Sequence, residues 1–110
     1  FRDANAASMV WSDTITFQLL TREYVKTFTA KPISDAHRTC AVLLALSQDS
    51  RDSVNAVVEA AAAAGGKADV RERMDMGWLY NQAVEDPDGH ILELVWMEMG
   101  ALTNAQGEHA

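Results

Sequence analysis

The chain is poor in cysteine, in positive charge and in long apolar stretches, and each shortage closes off a class of protein. One cysteine, Cys40, among 110 residues cannot form an internal disulfide, so a secreted disulfide scaffold is excluded and a reducing cytoplasm is the expected compartment. The longest apolar run, Cys40 to Leu46, is seven residues, far below the roughly 20 that cross a bilayer as a helix. No membrane is expected as a partner. Nine Lys and Arg stand against sixteen Asp and Glu, for a net charge of −7, whereas a phosphate backbone is gripped by clustered cations. Nucleic acid is therefore excluded as a partner. Residues 1–55 hold six basic and six acidic groups and residues 56–110 hold three and ten, so the second half carries the whole excess. No GxGxxG, P-loop, GxSxG or HExxH pattern occurs, which removes the dinucleotide, Walker, simple hydrolase and zincin readings.

What is present is 48% hydrophobic and 23% charged residues, the composition of a folded domain rather than a disordered chain. Ser8 to Trp11 and Thr14 to Leu20 are apolar-rich runs broken by Ser12-Asp13, and Ile15, Phe17 and Leu19 alternate with Thr14, Thr16 and Gln18. That period of two predicts a β-hairpin. Thr21 to Asp35 suits a short helical turn and a linker. Thr39 to Ser47 is a continuous apolar run, the pattern of a strand buried on both faces, and Cys40 is expected to pack there as a small hydrophobe. Ser50 caps a helix over 51–64, Asp52 favours its positive end, and Gly65-Gly66 stops it. Val54, Val57, Val58 and Ala61 form one apolar stripe, with Asn55 and Glu59 off it. Ala68 to Met74 reads as a charged edge strand. Trp78 to Glu85 and His90 to Met99 form a second hairpin about Asp86-Pro87-Asp88-Gly89, with the Pro and Gly spacing of a type I turn.

One residue is out of place. In the last strand Glu93 shares a face with Ile91, Val95, Met97 and Met99. A carboxylate there must be paired, protonated or bound to a metal, or its face must open onto a cavity. Pairing Glu85 with His90 across the turn sets Gln82 opposite Glu93, with Trp78, Tyr80 and Val84 on the same face. A bulge at the turn substitutes Leu79, Asn81 and Ala83.

The run Leu46-Ser47-x-Asp49-Ser50 before the Val-rich helix, the stop Ala63-Ala64-Gly65-Gly66, and Glu85-Asp86-Pro87-Asp88-Gly89-His90-Ile91-Leu92-Glu93-Leu94 resemble the second module of the vicinal oxygen chelate superfamily, the glyoxalase, bleomycin resistance protein and extradiol dioxygenase group. Met9 to Thr21, MVWSDTITFQLLT, is similar to the hairpin of its bacterial glyoxalase-like members. The resemblance implies an α+β fold of paired βαβββ modules forming a curved mixed sheet. Residues 1–35 would be the C-terminal hairpin of a first module, incomplete at the N-terminus, plus a linker; residues 36–100 a complete second module; residues 101–110 a flexible tail. It also implies a divalent metal in the cleft, with Glu93 and Gln18 at ligand positions, while a third ligand position falls near Leu43, which has no donor, like its neighbours Ala41 and Ala45.

Two functions follow as expectations. In one, Glu93 is catalytic in a metal-dependent lyase or dioxygenase acting on a small substrate bound by Phe17, Trp78, Tyr80, Gln82 and Val95. In the other, the metal site is degenerate, no metal is bound, and the cleft sequesters a small antibiotic-type molecule without chemistry. A homodimer is expected in either case, because an incomplete module leaves the first hairpin with an unpaired edge and uncovered apolar residues.

Overall fold

The computed structural model describes residues 1–100; the tail expected at 101–110 lies outside the described residues. The chain divides into two compact units, the first covering Phe1–Ser34 and the second beginning at Asp35.

In the first unit β1 (Ala6–Val10) pairs antiparallel with β2 (Thr16–Leu20). Met9 lies opposite Phe17 and Ser8 opposite Gln18, so the alternation read from the sequence becomes two distinct faces. The Phe17 ring meets the edge of Trp11 at 6.2 Å between centroids. Thr21 caps the one-turn helix α1 (Arg22–Val25), its hydroxyl accepting from the Tyr24 amide at 3.2 Å.

The second unit is a four-stranded mixed sheet with a helix across one face. Its elements are β3 (Leu44–Ser47), α2 (Arg51–Ala63), β4 (Met74–Asp75), β5 (Leu79–Glu85) and β6 (Ile91–Met97), and its strand order is β3-β6-β5-β4. β3 runs parallel to β6, and the other pairs are antiparallel. This is an α+β fold with a mixed sheet, as the resemblance implied.

α2 forms where its caps and stripe dictate. The Ser50 hydroxyl accepts from the Ser53 amide at 3.0 Å. At the far end the Gly66 amide reaches the Ala61 carbonyl at 2.9 Å and the Gly65 amide the Ala62 carbonyl at 3.3 Å, a Schellman closure that needs the left-handed φ of +102° at Gly65. Val54 and Val58 are buried against β5 and β6, each contributing about 1.5–3 kcal/mol, and beneath them Leu94 and Val84 are fully buried. Asn55, expected to point away, instead faces the sheet, for it lies on the flank of the stripe that overhangs β5. Its Oδ1 accepts from the Tyr80 hydroxyl at 2.7 Å and from Gln82 Nε2 at 2.6 Å.

Three strand expectations are corrected. β3 begins only at Leu44, leaving Cys40 and Leu43 exposed outside it. It is also not buried on both faces, because it is a sheet edge with three of its four residues exposed. The charged stretch 68–73 is not a strand, and pairing in that region is limited to β4 and an isolated bridge between Lys67 and Glu85. Trp78 precedes β5 and is exposed.

Candidate functional site

The hairpin register decides which side chains meet Glu93. The Gly89 amide bonds the Asp86 carbonyl at 3.0 Å and the Asp86 amide bonds the His90 carbonyl at 2.8 Å, so the loop proper is Pro87-Asp88-Gly89, with Gly89 at φ +96°. A three-residue loop closed by a left-handed glycine adds the bulge that shifts pairing by one. Gly89 is required twice over, since a Cβ there would sit 2.6 Å from the His37 amide nitrogen. The expected pairing of Gln82 with Glu93 is therefore corrected: Ala83 lies opposite Glu93, Asn81 opposite Val95, and Gln82 opposite Leu94. Of the two registers weighed from the sequence, the bulged one forms.

The sheet's two faces follow from this register. Tyr80, Gln82, Val84, Leu94 and Trp96 lie under α2. Tyr80 and Gln82 are buried there, joined to Asn55 and to each other at 2.9 Å. Gln82 Oε1 is buried without a hydrogen-bond partner among the described residues. Arg51 closes this side: its guanidinium lies 4.9 Å from the Tyr80 ring centroid and 5.2 Å from that of Trp96. The same group bonds both carboxylate oxygens of Asp75, at 2.8 and 2.9 Å, and the Gly77 carbonyl at 3.0 Å. Arg51 beside it, with help from the Gly77 amide, holds the Asp75 carboxyl down to about 2.

The opposite face carries Leu79, Asn81 and Ala83 from β5 and Ile91, Glu93, Val95 and Met97 from β6. No helix covers it. Here the misplaced carboxylate finds its partner: Arg71, in the irregular segment before β4, sets Nη1 2.5 Å from Glu93 Oε1, and its Nη2 donates to Asn81 Oδ1. Asn81 Nδ2 approaches the other Glu93 oxygen at 3.5 Å. The Glu93 side chain is only 15% exposed and that of Arg71 39%. The cluster is thus a charge pair with one end sealed in the sheet and the other open. Asn81 was named in the sequence only through the bulged register. Arg71 was missed as a site residue, because nothing in a charge-rich segment marks one arginine as turning inward.

The sequence-derived site residues are therefore divided. Glu93 and Val95 share the open face; Tyr80 and Gln82 lie on the covered one; Trp78 stands outside the strand. Phe17 and Gln18 belong to the first unit, where Gln18 Oε1 accepts from the Ser8 hydroxyl at 2.9 Å. The residues around Glu93 do not fit a divalent metal. Its carboxylate is engaged by a cation already, its neighbour across β3 is Ala45, and no group of three His, Cys, Asp or Glu side chains converges among the described residues. A hard divalent ion needs several oxygen or nitrogen donors together.

No family model matches the chain, and no curated protein is similar to it. Solved structures are. A glyoxalase-related enzyme from Fulvimarina pelagi superposes with a TM-score of 0.71 at 21% identity, over 87% of this chain and 67% of that one. A hypothetical protein, SA1046, from S. aureus gives 0.70 at 18% over 87% and 73%. A glyoxalase/bleomycin resistance protein/dioxygenase family enzyme from Burkholderia phytofirmans PsJN gives 0.64 at 15% over 87% and 74%. At these identities the likeness is one of fold. Among the described residues no helix is long and apolar enough to cross a membrane. The chain has the fold of the glyoxalase/bleomycin resistance protein/dioxygenase structures.

Proposed function

We propose that this protein binds a small organic molecule on the open face of its second unit and sequesters it without metal-dependent chemistry. The observation that carries this reading is Arg71 on the Glu93 carboxylate. The carboxylate at the superfamily's ligand position is neutralised from within the chain, and Ala45 beside it supplies no donor. Leu79, Ile91, Val95 and Met97, each half-buried, give that face the mixture of apolar wall and few polar groups typical of small-molecule sites. Ring-bearing ligands suit such a wall, and a reducing cytoplasm suits the exposed thiol of Cys40. The functional protein is a homodimer in this reading, since Met9, Val10, Ile15 and Leu19 are exposed on the first hairpin.

A metal-dependent lyase or dioxygenase is the second reading, favoured by Glu93 standing in the last strand with its side chain turned to the open face. It requires Arg71 to leave the carboxylate. Elemental analysis of the purified protein, followed by calorimetric titration with Mn²⁺, Fe²⁺, Ni²⁺ and Zn²⁺, separates the two. Sequestration predicts no stoichiometric metal. One ion per chain, lost in Glu93→Gln, would overturn it in favour of the enzyme.

A further inference from the structure

The geometry points to Arg71 as a carboxylate-binding residue: the open face takes a small molecule with a planar carboxylate on an apolar body, held by the N–H groups that Glu93 and Asn81 leave free. This deepens the ligand-binding reading above and rests on it.

A guanidinium carries five N–H donors in a rigid plane. Arg71 uses two, on Glu93 and Asn81, and the other three have no partner among the described residues. The contrast with Arg51 is direct, for that group is held by Asp75, by a carbonyl and by two aromatic faces. Arg71 is anchored at two points on neighbouring strands, so its plane is fixed before a ligand arrives and little ordering is left to oppose binding. A fixed fork matches a carboxylate through two parallel hydrogen bonds, a geometry that a lysine does not offer.

Charge distribution narrows the choice to an anion. Lys67, Arg71 and Arg73 are the three basic residues of positions 56–110, all within seven residues of one another, while that half carries ten acidic ones. Arg73 lies 3.8 Å from Asp69 and reaches the Tyr80 hydroxyl at 3.5 Å, whereas Arg71 is turned to Glu93 and Asn81. The half-buried Ile91 and Val95 flank Glu93 on its strand, and an apolar surround strengthens a charge-assisted hydrogen bond made above it. A ligand with a carboxylate and an apolar ring satisfies both features at once.

The test uses benzoate and its neutral isostere benzamide, titrated at constant ionic strength into the ¹⁵N-labelled full chain while the arginine Nε–Hε resonances are followed. Benzoate is expected to shift the Arg71 resonance saturably and to bind at least tenfold tighter than benzamide. Arg71→Gln should weaken benzoate at least tenfold and leave benzamide unchanged. Glu93→Gln should bind benzoate at least as tightly as the parent. Should Arg71→Gln fail to fold, Arg71→Lys decides: a loss of at least threefold supports the fork, and unchanged affinity overturns it. Equal binding of benzoate and benzamide removes the carboxylate assignment while the small-molecule reading stands. A benzoate response that is absent from Arg71, or that survives Arg71→Gln, overturns the assignment outright. A stoichiometric divalent ion on Glu93 in the same samples instead removes the reading on which it rests.

Discussion

The two faces of the second sheet carry similar chemistry and use it differently. Under α2, Tyr80, Gln82 and Asn55 bond to one another inside a layer of buried side chains, and their partners sit on regular elements that cannot move apart without unfolding. On the open face, Asn81 and Glu93 are bonded by one arginine from a segment with no regular structure. A polar group whose partner belongs to the scaffold is part of the architecture. One whose partner reaches in from a loop and keeps spare donors is available to a ligand.

The contrast has measurable consequences of decreasing size. Leu94→Ala should be the most damaging change, costing about 2–5 kcal/mol in urea unfolding, because Leu94 is fully buried beneath α2 and the cavity would be only partly filled. Asn55→Leu comes next at about 1–3 kcal/mol, since it strips the acceptor from the Tyr80 hydroxyl and from one N–H of Gln82 inside the covered layer. On the open face Arg71→Lys should cost about 1 kcal/mol or less in the same assay, because an ammonium still faces the Glu93 carboxylate and one hydrogen bond, to Asn81, is lost. A loss equal to that of Asn55→Leu would erase the distinction between the faces. The smallest effect concerns Asp75. Its folded carboxyl titrates at about 2, below the ordinary 3.8, so the stability it contributes is present above about pH 4 and is lost as pH falls toward 2. Asp75→Asn should flatten that part of the acid-stability curve, lowering stability slightly above about pH 4, where solvent screens the pair, and leaving it unchanged near pH 2.

Much of this architecture was legible in the sequence because its signals are local. Ser50, the valine stripe and Gly65 specify α2 within a single stretch of chain, and the turn Asp86–Gly89 announces the second hairpin. Register was harder. The same turn residues are compatible with two pairings that differ by one residue, and only the left-handed glycine, packed against Ala36 and His37 from a distant segment, selects between them. That single step moved Tyr80 and Gln82 from the expected site to the covered face and brought Asn81 to Glu93. β3 was overestimated because a run such as Ala41 to Leu46 reads as interior, although its place at a sheet edge is fixed by topology. Glu93 was recognisable as anomalous from its neighbours alone. Its partner was not, because a salt bridge across twenty-two residues leaves no periodic trace.

The placement of β3 has a kinetic consequence. Its parallel partner Leu92 lies forty-eight residues further along the chain than Leu44, whereas β5 and β6 are joined by five residues and α2 closes upon itself. Loop-closure entropy delays the distant pairing, and four mostly exposed residues add little to hold it once formed. β3 is therefore expected to dock last during folding and to open first in the native state. Its amides should exchange with solvent well before those of β5, which makes that edge of the sheet a hinge in time as well as in space.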